Sequence, residues 1–154
     1  MGTHYKGTEE EVRALDTFIK LLRAAESTTA RLSRHMAAHR LTVSQFGAME
    51  ALLHLGPLCQ CDLGKKLLKS SGNITMVVDN LEKQGFVERR REVEDRRFVT
   101  VHLTDKGQRF IAEIFPRHVA AIVEEMGALT PPEQEDLGRL CRKLGRREGD
   151  KKST

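Results

Sequence analysis

The stretch from Gly85 to Leu103 reads GFVERRREVEDRRFVTVHL, and its pattern decides the fold. Two short runs of strand-forming residues, Phe86–Glu88 and Phe98–Leu103, flank a charged tip from Arg89 to Arg97. The second run alternates. Phe98, Thr100 and His102 fall on one side and Val99, Val101 and Leu103 on the other, the period of a hairpin strand. The tip sets Arg89, Arg90, Arg91, Arg96 and Arg97 against Glu92, Glu94 and Asp95. So many guanidiniums on a narrow hairpin repel one another unless carboxylates or a polyanion neutralise them. The planar guanidinium fork also suits phosphate, to which it donates two parallel hydrogen bonds. A short helix with a polar outer face comes directly before. Helix and hairpin together predict a winged helix-turn-helix that binds double-stranded DNA.

The rest of the chain is compatible with that reading. Its 154 residues suit one domain with a proper core. With 39% hydrophobic and 31% charged residues, it reads as soluble and globular. Neither a membrane-span-length apolar run nor a signal-peptide pattern is present, so a cytoplasmic protein without a membrane partner is expected. Three cysteines are an odd count and argue against a disulfide framework. The net charge of +4 is mild, so the location of the charge matters more than its sum.

Upstream, Thr8 with Glu11 forms a capping box for a helix from about Glu9 to Ala38. Val12, Leu15, Phe18, Ile19 and Leu22 give it an apolar stripe, continued by Leu32 and Met36. At 1.5 Å per residue the helix is ~45 Å long, more than so small a domain can cover. Thr42 with Gln45 caps a second helix that stops at Gly56-Pro57. A third is expected from about Gln60 to Leu68, and a fourth from Gly72 to about Gln84, with Ser71 as cap and Gly85 as terminator. After the hairpin, Thr104 caps a helix to about Met126, which Pro116 should kink. Thr130, Pro131 and Glu133 open the last helix, which ends near Gly145. The tail RREGDKKST reads as disordered. The expected fold is mainly α with a small β-hairpin: a winged helix-turn-helix core (about 41–103) flanked by dimerisation helices (about 9–38 and 104–146) within a single domain, 1–154. Apolar stripes at both ends predict a homodimer.

In the fourth helix, Ile74, Val77, Val78 and Leu81 fall at i, i+3, i+4 and i+7 and make a buried face. The opposite face carries Gly72, Met76, Asp79 and Lys83, flanked by Asn73, Thr75 and Asn80. A helix in a major groove reads bases from its N-terminal residues. Gly72 lets the backbone come close, and Asn73 can bond a base edge, with adenine its natural partner. Ser70, Ser71 and Thr75 are sized for phosphate, and Met76 for a thymine methyl. Asp79 is awkward beside phosphate; it can pair with Lys83 or accept from cytosine. On the wing, Arg90, Arg91, Arg96 and Arg97 form the basic cluster, suited to a narrow A·T minor groove. Lys65, Lys66 and Lys69 widen the basic surface. A solvated helix face and a salt-bridged solubility loop are the plain alternatives.

The order of elements, the segment SSGNITMVVDNLEKQGFVERRREVEDRRFVTVHLTDKG and the Asp95-Arg96-Arg97 wing resemble the MarR family of bacterial transcription regulators. The resemblance runs from about Leu41 to Ile111 and is weaker in the terminal helices. It implies a homodimer that joins its N- and C-terminal helices and binds a palindromic operator. It also implies that Arg97 reaches the minor groove, that Asp95 orients the wing, and that Ser70, Ser71, Asn73 and Thr75 touch DNA. Where many members place arginine after the recognition-helix threonine, this chain has Met76, which weakens the transfer of their base preference.

Two sensing sites are candidates. Cys59 stands where a serine or threonine cap would stand, three residues before Asp62, and a thiol at a helix N-terminus can become reactive. His35, His39 and Arg117 with its neighbour His118, and Phe46 and Met49 as apolar contacts, are candidates for a pocket between helices; the resemblance implies small aromatic or anionic effectors. Neither metal nor cofactor is expected: the cysteine pair lacks further nearby ligands. The leading function is a homodimeric repressor released from its operator by such an effector. A Cys59-based redox or electrophile switch and a winged-helix protein-interaction module are the alternatives. An enzyme is remote, because the chain carries no phosphate-binding glycine loop, zinc-protease pattern or nucleophile elbow.

Overall fold

The computed structural model describes residues 2–91 and 99–146, the side chain of His35 apart. Among the described residues, six helices and three short strands follow in the order α1 (Glu9–Ala37), α2 (Val43–Leu55), β1 (Leu58–Cys59), α3 (Gln60–Lys66), α4 (Ser71–Lys83), β2 (Val87–Arg91), β3 (Val99–Leu103), α5 (Asp105–Met126) and α6 (Pro131–Gly145). Asp95, Arg96 and Arg97, expected on the wing tip, and the tail after Arg146 lie outside the described residues.

Local chemistry sets most helix boundaries. Thr8 and Glu11 exchange the two hydrogen bonds of a capping box, as do Thr42 and Gln45. The cap of α4 is Ser70, one residue earlier than expected; its hydroxyl accepts from the Asn73 N–H at 3.4 Å. Adjacent serines offer the same pattern, and only the backbone geometry separates them. At the end of α4, Gly85 takes φ +73°, with Phe86 N–H bonded to Leu81 O and Gly85 N–H to Glu82 O, the Schellman closure. Helix α3 stops two residues before the expected Leu68. It ends in the same closure, Lys69 N–H to Gly64 O and Leu68 N–H to Lys65 O. There, however, the left-handed position is occupied by Leu68 at φ +51°. Helix α5 runs through Pro116 without interruption.

The chain divides into two compact units, Met1–His118 and Val119–Thr154. In the first, α2, α3 and α4 pack around one core containing Phe46, Met49, Leu52, Leu63, Ile74, Val78 and Leu81, closed by Val87 and Val101 from the sheet and Ile111 from α5. The sheet has the order β1-β3-β2. The hairpin register pairs Val87 with Leu103 and Arg91 with Val99, while β1 adds Leu58 opposite Val101. Sequence reading missed β1, because two residues cannot show a period. It also placed Arg89, Arg90 and Arg91 on the tip; they belong to β2. On α1, Leu15, Phe18 and Leu22 remain exposed. In the second unit, α6 buries no residue and leaves Leu137, Leu140 and Leu144 open along one stripe.

Candidate nucleic-acid interface and effector cavity

Helix α3, its turn and α4 form the helix-turn-helix, and β2–β3 the wing. The inner face of α4 is fixed by Ile74, Val78 and Leu81, each at most 2% exposed. That burial turns Ser71, Gly72, Asn73, Met76, Asn80 and Lys83 to solvent, the residues expected to face DNA. Met76 is 64% exposed. The first turn of α4 holds no acidic residue, so its free N–H groups and positive dipole end remain available to a phosphate. A Cβ added to Gly72 would meet nothing within 4 Å, so packing within the chain does not require glycine there. Lys65, Lys66, Lys69 and Ser70 are exposed at the end of α3 and in the turn.

Three side chains behave differently from expectation. Thr75 is half-buried; its hydroxyl donates to Ser71 O at 2.8 Å and accepts from Gln60 Nε2 at 2.7 Å, so its proton is not available to a phosphate. Asp79 binds Arg89 at 2.6 Å instead of Lys83. Arg89 is turned inward, also meeting Glu82 at 2.6 Å, so that among the described wing residues Arg90 and Arg91 are the exposed arginines. Arg90 itself pairs with Glu88 on the same face of β2. Nothing in the sequence pattern joined Gln60, Asp79, Glu82 and Arg89, which come from three elements.

Cys59 caps α3, as its spacing predicts: Sγ accepts from the Asp62 N–H at 3.3 Å. The Asp62 carboxyl is held below the usual aspartate range, first by hydrogen bonding with the Cys59 side chain and then with Lys65. Cys61 and Cys141 are exposed free thiols.

A cavity of about 300 Å³ opens in the first unit between the end of α1, α2 and α5. Arg34, Met36, Ala38, His39, Phe46, Ile114, Arg117 and His118 line it. The expected His39, Phe46 and Arg117 thus come together. Met49, expected with them, lies instead in the core with no exposed surface. His35 is in α1, its side chain outside what is described. His118, expected beside Arg117, joins them and packs on Phe46 with ring centroids 4.3 Å apart; Arg34 was missed. The lining carries two guanidiniums, two imidazoles and no carboxylate.

An exposed helix beside a basic hairpin on a three-helix core defines a winged helix-turn-helix, and comparison with known proteins bears this out. The sequence pattern of the MarR family matches residues 41–99. YkoM, an HTH-type transcriptional regulator of Bacillus subtilis (strain 168), is 37% identical over 138 residues, 89% of this chain and 90% of its own. The chain belongs to the MarR family and is a transcription regulator, not an enzyme. Among solved structures, AbsC of Streptomyces coelicolor, a MarR family transcriptional regulator, shares the fold with a TM-score of 0.81 at 17% identity, over 92% of this chain and 96% of its own. BpsR of Bordetella bronchiseptica, whose DNA binding is regulated by 6-hydroxynicotinic acid, gives 0.78 at 22% identity, over 96% and 100%. Among the described residues, no helix is long and apolar enough to cross a membrane.

Proposed function

We propose that this regulator is a cytoplasmic homodimeric repressor, released from a palindromic operator by a small aromatic acid. The observation that carries the reading is the union, in one compact unit, of a solvent-facing α4 and a cavity whose polar lining is wholly cationic or imidazole. A carboxylate suits the Arg34 and Arg117 guanidiniums, through paired charge-assisted hydrogen bonds. A ring suits Phe46 and His118. The acid that regulates BpsR has this chemistry. The apolar stripes left open on α1 and α6 support a dimer, and a two-fold protein suits two half-sites one helical turn apart. Arg90 and Arg91 supply backbone contacts, and Arg97 a minor-groove contact by family resemblance.

The test is fluorescence anisotropy on a duplex that the protein selects from a random library, titrated with 6-hydroxynicotinate and with salicylate. An acid that binds the free state releases DNA in proportion to its differential affinity. Arg117→Ala should raise the releasing concentration by about tenfold or more, one charged hydrogen-bonded pair being worth roughly 1.5–3 kcal/mol, and should leave acid-free DNA affinity unchanged. If neither acid releases DNA at millimolar concentration, or if Arg117→Ala responds like wild type, the cavity reading fails. A response to peroxide or quinone alone, abolished in Cys59→Ser, would assign release to the thiol.

A further inference from the structure

Asp79 is a carboxylate on the helix that faces a polyanion, where simple Coulomb repulsion makes it unfavourable. Its partner explains why it is there. Strand β2 alternates, so Arg89 points to the same side as the buried Val87, toward the helices. There its guanidinium reaches three groups: Nη2 to Asp79 Oδ1 at 2.6 Å and Gln60 Oε1 at 3.2 Å, and Nη1 to Glu82 Oε2 at 2.6 Å. Its backbone N–H is bonded by the other Glu82 oxygen at 3.1 Å. Gln60 turns its amide nitrogen to Thr75, closing the network onto α4. The Arg89 side chain is 24% exposed, against 60% for Arg90.

We propose that Asp79, together with Glu82, is a positioning residue for DNA recognition: by holding Arg89 it fixes the wing root and the start of α3 against the recognition helix. Specific binding therefore depends on this carboxylate instead of suffering from it. The inference rests on the DNA-reading role given to α4 above. It separates Arg89 from its neighbours: Arg90, paired with Glu88 of its own strand, and Arg91 are exposed and can meet phosphate, whereas the Arg89 fork is turned inward onto residues of α3 and α4. It also removes Asp79 from the set of residues available to cytosine.

The experiment uses the full chain as wild type, Asp79→Asn, Arg89→Gln and the double variant. Each is titrated against the duplex selected by wild type and a scrambled duplex of equal length at about 0.15 M salt. Asp79→Asn should weaken the selected duplex about tenfold, a typical coupling for groups sharing one network. The same change should leave the scrambled duplex unchanged or slightly tighter, because a negative charge has been removed. Arg89→Gln should lose specific affinity similarly, and the double variant should lose no more than either single one, because all three break the same clamp. Asp79→Asn binding the selected duplex as well as wild type or better overturns the inference. Losses that multiply in the double variant overturn it too. A fall on both duplexes together with a lowered melting temperature reduces Asp79 to a residue of stability alone and likewise overturns it. Should wild type enrich no sequence, the DNA-reading assignment itself fails, and this inference with it.

Discussion

A single methyl at Gly107 measures how firmly α5 is seated on the root of the wing. A Cβ at that position lies 2.0 Å from the Phe86 carbonyl oxygen, 2.8 Å from its carbon and 3.1 Å from its Cα. All three are backbone atoms, so no rotamer change relieves the clash. Ordinary contact between heavy atoms begins near about 3.5 Å, so helix and strand root must part by more than ~1 Å. The corner they would open is closed by Thr104 N–H to Phe86 O at 3.1 Å, Thr104 Oγ1 to Gly85 O at 2.6 Å and Lys106 Nζ to Gln84 O at 2.7 Å. Overpacking costs roughly 1–3 kcal/mol, and each weakened hydrogen bond adds up to about 1 kcal/mol. Gly107→Ala should therefore lose about 3–5 kcal/mol, a large part of the roughly 5–15 kcal/mol that holds a typical domain. At about 2–4 °C per kcal/mol, the melting temperature should drop by roughly 6–20 °C. Urea unfolding of the two proteins side by side is the assay. A loss under about 1 kcal/mol, within the spread of ordinary surface substitutions, would refute the close seating of α5 on Phe86.

Three further outcomes follow from the same geometry. Gly72→Ala adds a methyl into open space in the first turn of α4; it should raise stability by about 0.5–1 kcal/mol in urea yet weaken operator binding, and unchanged DNA affinity would show that the backbone does not approach DNA there. Leu68 is 93% exposed and left-handed, which costs a non-glycine residue roughly 1–2 kcal/mol; Leu68→Gly should recover part of this, about 0.5–1 kcal/mol net of glycine's extra chain entropy, and a destabilised variant would mean the side chain packs after all. The lowered carboxyl of Asp62 contributes stability above the unfolded aspartate value of about 3.9, and that contribution fades as pH falls through the lower folded value; NMR titration of Asp62 should show its midpoint rise toward the ordinary value in Cys59→Ala.

What was legible in the sequence was what a few neighbouring residues decide. Capping boxes at Thr8 and Thr42 read correctly because both partners lie three residues apart. The outward face of α4 followed from the spacing of its four apolar residues. Strand β1 was illegible because its pairing depends on β3, some forty positions later in the chain. Arg89 looked like a fifth tip arginine until β2 turned it inward onto carboxylates that share no sequence pattern with it. The cavity was half legible: α2 presents Phe46 to it and hides Met49, a difference of one helical turn that the flat apolar pattern of that helix does not encode.

The corner at Gly107 has a mechanical meaning beyond its effect on stability. From Gly107 to Arg117 the chain is one continuous helix of about 15 Å. One end abuts Phe86, where the recognition helix hands over to the wing, and the other forms a wall of the cavity. Between those ends Ile111 and Ile114 are buried in the core, so the root of the wing and the wall of the cavity belong to one packed body. The absent methyl at Gly107 is what lets that body close at the Phe86 end.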